Sequence, residues 1–361
     1  MLFVSLRDLQ WRLRRFIIGV LATGLVFAIA LLISGINSSF QNEAARSVKA
    51  FRADQWVVTK DSLGAFNTAT PISDAVAVAK TIRSDPGVKA ADPVLIFPFT
   101  VTKPALKDLN VIGVVPGGVG APVVKDGREI RASGEAVVDR SVGMKIGSTL
   151  NLHGLLVKVV GRTSGLSYNA GTPAIFISFD DSQHLFFPNS KEGDLARAFA
   201  KGEASAIVVR GKVTKVVSDF RVMENPAILS DLRRPLKKAT STIGFLRILL
   251  WVIAAGIIGS VLYLQAIERT RDFAVFKATG VSSRTLLVGI TLQAILLAAG
   301  AAIAALIIAW LLGPTMTLNI EVPPSAYLAL PLVAIAVGLI ASLFGLRRAV
   351  TVDPAVAFGG A

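Results

Sequence analysis

Four long apolar runs alternate with polar segments along the chain, and one long polar stretch separates the first run from the second. About 20 helical residues cover the hydrocarbon core of a bilayer, and each run is close to that length or longer. The pattern therefore predicts four membrane-spanning helices, at residues 16–35, 243–267, 285–312 and 325–346.

The polar stretch 36–242 begins and ends with helical periodicity, because apolar residues recur there three or four positions apart. Those residues are Ile36, Phe40, Ala44, Val48 and Phe51 at the start and Ile228, Leu229, Leu232 and Leu236 at the end. Two such helices can bury their apolar stripes against each other as a stalk. Pro235 predicts a bend in the second helix.

Between these helices, short β-rich runs alternate with turn residues, which is typical of a mixed α/β domain. The predicted strands are residues 55–59, 94–101, 109–115, 136–138, 149–152, 155–160, 174–179 and 206–209. A helix is predicted at 73–84 with Ser73 as its N-cap. His153, before Gly154, is predicted to lie in a hairpin turn.

Basic residues predict the orientation of the chain. Segments 1–15, 268–284 and 347–361 carry Lys and Arg, whereas the short loop 313–324 carries none. Because basic short segments stay in the cytoplasm, both termini and segment 268–284 are predicted inside and residues 36–242 outside. The predicted fold class is a membrane α-helical protein with four transmembrane helices and a large α+β extracytoplasmic domain inserted between the first and second.

The N-terminal region has two interpretations. Residues 1–15 are amphipathic and basic, which suits a cytoplasmic helix on the inner membrane surface. A cleaved signal peptide is the alternative, but the apolar run 16–35 is long and no A-x-A cleavage site follows it.

Composition excludes several classes of function. Of the 361 residues, 53% are hydrophobic and 17% charged, and the mean hydropathy is +0.62, as in membrane proteins. The net charge of +14 does not indicate nucleic-acid binding, because basic residues cluster at membrane boundaries and no nucleic-acid motif occurs. The chain has no Cys, two His and no phosphate-binding G-x-x-x-x-G-K-[ST] loop, so no cofactor or metal site is expected on it.

The charged segment 268–284 closes a hairpin between the second and third spans. Its pattern is helical, Gly280 is a natural C-terminal stop, and Ser282 or Ser283 can cap the next helix. The residues alone leave two interpretations open: a solvated turn or helix on the lipid headgroups, or a docking surface for a partner.

The sequence ERTRDFAVFKATGVSSRTL in this segment resembles the ERxREFAVLKALGAS segment of FtsX-like, MacB-type (type VII) ABC transporter permeases. It departs from that pattern at Asp272, Phe276 and Thr279. In that family the segment is the coupling helix, which docks onto a separate ATPase subunit. The resemblance implies an ATPase-coupling interface formed by Glu268, Arg269, Arg271, Asp272, Phe273, Phe276, Lys277, Ala278 and Gly280.

Two further stretches resemble the same family. The tail RRAVTVDPAVAFGGA resembles the family ending RRAxRVDPxxALR, although it lacks the last basic residue. The run VVDRSVGMKIGSTLNLHGLLVKVVG is similar in rhythm to part of MacB-type periplasmic domains.

The resemblance also implies partners. We expect two copies of an ABC ATPase subunit that carry ATP and Mg, a permease homodimer and contact with membrane lipid. An extracytoplasmic accessory protein is a further candidate partner. Two small-residue pairs in the second span, Ala255 with Gly259 and Gly256 with Ser260, are candidates for helix packing or the dimer contact. Small residues are also common in any membrane helix.

Three functions are consistent with the sequence. The first is a permease of the cell membrane that couples ATP hydrolysis to export or extrusion of a substrate on the outer side by mechanotransmission. The second is a non-transporting regulator that signals to an extracytoplasmic partner such as a cell-wall hydrolase. The third, a membrane-anchored enzyme, is disfavoured because residues 36–242 show no catalytic constellation.

Overall fold

The computed structural model describes residues 13–66, 70–101, 107–168, 171–187, 202–215, 218–268, 270, 272, 274–275, 279–313 and 320–350. The chain divides into two compact units. The α/β unit is Phe40–Lys238, and the helical unit is Met1–Ser39 with Ala239–Ala361.

The helical unit contains four helices that are long and apolar enough to cross a membrane. Among the described residues, the candidate spans are Phe16–Ala50, Thr240–Glu268, Arg284–Leu312 and Pro324–Ser342. They belong to helices α1 (Leu13–Ala50), α5 (Lys237–Glu268), α6 (Ser283–Leu312) and α7 (Pro324–Val350). The four apolar helices expected from the sequence are therefore present, and the last part of α1, from Phe40 to Ala50, belongs to the α/β unit.

Small residues allow these helices to approach closely. A Cβ atom built on Gly24 of α1 would lie 2.8 Å from Ala304 Cβ of α6, and one built on Gly338 of α7 would lie 3.1 Å from the Ala294 carbonyl oxygen. Both distances are too short for a larger residue without movement. The Ala-rich α6 is thus a packing surface for α1 and α7.

The α/β unit is built on one mixed sheet. Its strands are β1 (Gln55–Thr59), β2 (Val88–Val101), β3 (Lys107–Val114), β4 (Asp126–Gly127), β5 (Glu135–Asp139), β6 (Thr149–Leu152), β7 (Leu155–Thr163), β8 (Ser167–Tyr168), β9 (Thr172–Ser178), β10 (Ala206–Gly211) and β11 (Phe220–Glu224). The strand order is β11-β1-β10-β2-β3-β9-β5-β7-β4, with β6 paired to β7 and β8 to β9. Pairs β3–β9 and β5–β7 are parallel, and the other pairs are antiparallel.

Helices cover both faces of this sheet. The first core, on one face, receives the end of α1 and helix α4 (Asn225–Arg233). Its centre is aromatic, since the Phe51 ring lies 4.8 Å from the Trp56 ring and 5.8 Å from the Phe66 ring, both edge-to-face. The second core, on the other face, is covered by α2 (Ala75–Arg83) and α3 (Phe179–Phe186).

Both apolar packing and polar hydrogen bonds hold the end of α1 in place. Ala44, Val48 and Phe51 are buried in the first core together with Ile228 and Leu232 of α4. Polar side chains of α1 also bond to backbone groups around β8: Glu43 accepts from the Gly171 amide (3.0 Å), Arg46 donates to the Gly165 carbonyl (3.2 Å) and Ser47 donates to the Ser167 carbonyl (2.8 Å). Both predicted helices are present and bury apolar residues in the core of the sheet, and their pairing as a stalk stays a prediction.

The second connection to the helical unit has a different form. A turn at residues 234–236, which contains Pro235, separates α4 from α5. The ring of proline has no N–H and blocks helical continuation, so the predicted bend is a complete interruption of the helix.

Most predicted strands are present with shifted ends, and β1 and β6 match their predicted bounds. One local prediction was wrong: the N-cap of α2 is Asp74, at φ +55° and without a side-chain cap bond, and not Ser73. Strands β4, β8 and β11 were not predicted. The hairpin turn predicted at His153 is observed, with φ +49° at that residue.

Candidate functional site

The charged segment 268–284 is the candidate functional site. The structure describes Glu268, which ends α5, and then Thr270, Asp272, Ala274, Val275 and residues 279–284. The remaining predicted interface residues lie outside the described part of the chain: Arg269, Arg271, Phe273, Phe276, Lys277 and Ala278.

The described positions of this segment are helical. Thr270, Asp272, Ala274 and Val275 have helical backbone conformation, and the Thr279 amide donates to the Val275 carbonyl at 3.0 Å. Ala274 is fully buried, whereas Asp272, Val275, Thr279 and Gly280 are exposed. An exposed face with an acidic group and an apolar side chain therefore lies beside a buried face.

Two residues define the end of this helical segment and the start of α6. Gly280 has φ +89°, a left-handed conformation that favours glycine and stops a helix. Ser282 is the N-cap of α6, and its hydroxyl accepts the Thr285 amide. The predicted stop at Gly280 and the first of the two predicted caps are confirmed.

A small apolar cluster joins the ends of the two helices that flank the segment. Ala266 near the end of α5 packs with Leu286 and Ile290 of α6, and Val281 lies against them. This contact fixes the hairpin at its charged end.

The small-residue candidates on α5 occupy different surroundings. Ala255 is half-buried against the core of the helical unit, and Gly259 is buried. Gly256 and Ser260 are exposed, and the Ser260 hydroxyl donates to the Gly256 carbonyl at 2.8 Å within the helix. The pair Ala255 and Gly259 thus faces helices of the same chain, and the pair Gly256 and Ser260 faces outward.

Two buried carboxylates of the α/β unit, those of Asp139 and Asp181, serve as acceptors for backbone amides. Asp139 accepts from the Ser141 and Leu166 amides, Asp181 accepts from the Gly134 amide, and all three carboxylate contacts are 2.8–3.0 Å. Such bonds satisfy buried carboxylates and fix loops. Among the described residues, no three His, Cys, Asp or Glu side chains are grouped to hold a metal.

Hydrogen bonds, an ion pair and burial shift the pKa values of three carboxyl groups in this unit. The amides of Gly87, Thr214 and Lys215 and the Thr214 hydroxyl all donate to Asp85, and they hold its pKa well below its usual range. Burial raises the pKa of Glu203. The Arg128 guanidinium, with the Arg131 amide, lowers the pKa of Glu135 to about 2.

Comparisons with known proteins identify the family. The MacB-like periplasmic core domain matches residues 17–217, and the FtsX-like permease C-terminal domain matches residues 244–354. An ABC transporter permease of Mycobacterium tuberculosis H37Rv, Rv2563, is 38% identical over 361 residues, covering 100% of both chains. The chain belongs to the FtsX-like, MacB-type ABC transporter permeases. A second permease from that strain, Rv0072, is 36% identical over 362 residues and also covers 100% of both chains.

Two solved structures show limited similarity to about half of this chain. The periplasmic region of MacB from Actinobacillus actinomycetemcomitans is 13% identical, with a TM-score of 0.34, over 49% of this chain and 90% of that chain. The extracellular domain of the transporter YknZ from Gram-positive bacteria is 14% identical, with a TM-score of 0.33, over 48% of this chain and 99% of that chain.

Family membership confirms the resemblance drawn from the segment 268–284. The chain is the permease component of an ABC transporter, a membrane protein, and such a component works with an ATPase.

Sequence reasoning missed the loop 213–215, which Asp85 fixes, because no residue type in Val213-Thr214-Lys215 signals its contact with a turn more than 120 residues earlier.

We predict that Glu135 makes the α/β unit acid-sensitive. Because its pKa is lowered from 4.5 to about 2, ionised Glu135 stabilises the fold fully above its unfolded pKa, and this contribution is lost as the pH falls towards about 2. Glu135→Gln should lower the thermal unfolding midpoint of the full chain at neutral pH. Between about pH 5 and pH 3, the variant should lose less stability than the wild type.

Tryptophan fluorescence can follow this unfolding because Trp56 lies in the first core. Glu129→Gln is the matched control, since Glu129 is about half exposed and its contact with Arg52 is 3.6 Å long. Parallel pH curves for the wild type and Glu135→Gln would contradict the assignment.

Proposed function

We propose that this permease couples ATP hydrolysis by a separate ATPase subunit to work on the outer side of the membrane, by mechanotransmission to its α/β unit. The observation that carries this proposal is the continuity of α1. This helix runs unbroken from Leu13 to Ala50, and its last turns lie in the core of the α/β unit. A displacement of the helix end must therefore displace the sheet.

The four spans offer little that would line a polar conduit. Arg247 is the one Asp, Glu, Lys or Arg residue in the sequence of the predicted spans 16–35, 243–267, 285–312 and 325–346, and its guanidinium lies over the Trp251 ring, 5.4 Å from the ring centroid. A path for a polar solute usually needs polar or charged groups along it. This favours work done by the outer unit over passage through the helices.

In this proposal the α/β unit is extracytoplasmic, inserted between the first and second spans, and both termini are cytoplasmic in a bacterial-type cell membrane. Two ATPase subunits, which bind ATP and Mg, dock on segments 268–284 of two permease copies. The exposed pair Gly256 and Ser260 on α5 is the candidate dimer contact, because close helix approach needs small outward-facing residues. This chain itself carries no cofactor.

We predict that Phe273 and Phe276 anchor the ATPase. Aromatic side chains and Arg are enriched in protein interfaces, and this segment carries both. Phe273→Ala with Phe276→Ala should abolish co-purification of the ATPase subunit and ATPase stimulation, while membrane insertion is unchanged. Phe245→Ala is the control, because Phe245 is 65% exposed on α5, away from this segment. Undiminished co-purification of the double variant would refute the docking site.

We predict that position 63 is outside the membrane and position 279 inside. The chain contains no cysteine, so single cysteines can be introduced without background, and both Leu63 and Thr279 are exposed. In intact cells a membrane-impermeant maleimide should label Leu63→Cys and not Thr279→Cys. After permeabilisation it should label both. Labelling of Thr279→Cys in intact cells would overturn the orientation.

A further inference from the structure

An apolar recess lies at one edge of the sheet in the α/β unit, on the face of the second core. Its volume is about 220 Å³, and it opens to solvent. Its floor is formed by Val57 of β1 and by Val222 of β11, which lie opposite each other in the ladder, with Phe220 beside them. Helix α2 packs on β2 and β10, so the face of the two outermost strands extends beyond the helix.

One side of α2 forms the wall of the recess. Ala77, Val78, Thr81 and Ile82 line it, and their spacing places them on one face of the helix. Thr81 does not make this wall polar, because its hydroxyl already donates to the Ala77 carbonyl within the helix.

The opposite wall is the loop 213–215, and side chains of Asp85 and Gln55 hold it in place. Asp85 accepts the amides of Thr214 and Lys215 at 2.8 and 2.9 Å, and the Gln55 side chain accepts the Val213 amide at 2.8 Å. A wall fixed by three hydrogen bonds cannot collapse to fill the space. The recess is therefore pre-formed, which lowers the ordering cost of binding a ligand.

The charge beside the recess indicates the chemical class of the ligand. Of the described residues that line the recess, Lys215 alone is charged, and its side chain is exposed. The neighbouring carboxylate of Asp85 is occupied by its four hydrogen bonds to Gly87, Thr214 and Lys215. A cation beside an apolar recess is complementary to a molecule with an alkyl chain and an anionic head.

The volume of the recess limits the size of the ligand. An apolar cavity of about 150 Å³ accommodates benzene, so by proportion 220 Å³ accommodates about nine carbon atoms. We propose that this recess binds the alkyl chain of an anionic amphiphile of the fatty-acid type, with its carboxylate at Lys215. This site is separate from segment 268–284, and its occupancy does not depend on the proposed coupling to an ATPase.

Photo-crosslinking of the full chain in lipid nanodiscs tests the proposal. The probe is a ten-carbon fatty acid with a diazirine at the end of its chain, and mass spectrometry identifies the labelled residues. We expect labels within residues 77–82 or 220–222, and competition by decanoate that exceeds competition by decanol. Absence of labels from both ranges would overturn the site.

Two variants, each with its own control, test binding of the ligand's alkyl chain and of its head group separately. Val78→Trp fills the recess and should reduce labelling more than about tenfold, because the buried alkyl surface is lost. Val76→Trp, at an exposed position of the same helix outside the recess, should leave labelling unchanged. Equal labelling in Val78→Trp and the wild type would contradict the site.

Lys215→Gln should weaken decanoate competition about two- to fivefold, the range for an exposed ion pair, and leave decanol unaffected. Lys80→Gln, an exposed lysine of α2 that does not line the recess, is its control. If decanol competes as well as decanoate and Lys215→Gln changes neither, the anionic head group is wrong. Thermal unfolding of each variant establishes that it is folded.

Discussion

The backbone hydrogen bonding of α1 is the constraint on which the rest of this molecule depends. The helix is continuous over 38 residues, from a membrane-spanning run into the interior of an α/β sheet. Its last turns bury Ala44, Val48 and Phe51, and burying such side chains stabilises a fold by about 1.5–3 kcal/mol for each large one. The helix end is thus part of the sheet's own core and cannot move without it.

The second connection between the two units, from α4 to α5, is interrupted, whereas α1 is continuous. Helix α4 packs in the same core, where Ile228 and Leu232 are buried, but residues 234–236 interrupt it before α5 begins. Single-turn hydrogen bonds close residues 234–236, from the amides of Arg234, Leu236 and Lys237 to the carbonyls of Asp231, Arg233 and Arg234, whereas the helical hydrogen bonding of α1 is uninterrupted. In the proposed mechanism, the continuous helix transmits force and the turn acts as the hinge. Polar side chains of the α/β unit form hydrogen bonds that hold its loops in place. This suits the unit to move as one body.

Regular patterns could be predicted from the sequence, and contacts between distant residues could not. The apolar runs predicted the four helices, and β-rich runs bounded by turn residues predicted β1 and β6, because these signals lie in residues that are neighbours in sequence. Strand β2 extends six residues earlier than predicted, through Pro93, which pairs opposite Ile207 although proline is rare inside strands. The candidate coupling segment was predicted from a family pattern, since its residues alone are compatible with a surface turn. The recess beside Lys215 had no signal in sequence, because its walls come from α2, β1, β11 and a loop held by Asp85.

The central claim is that nucleotide at the ATPase moves the α/β unit through α1, and an inter-spin distance tests it most directly. A spin label on Leu63→Cys, exposed and in a chain otherwise free of cysteine, reports the separation of two permease copies by pulsed electron paramagnetic resonance. In the reconstituted complex with its ATPase, we expect a distance distribution that shifts between the nucleotide-free and vanadate-trapped states. A distribution that stays the same while ATP is hydrolysed would contradict mechanotransmission, and the lack of any dipolar signal would contradict the homodimer.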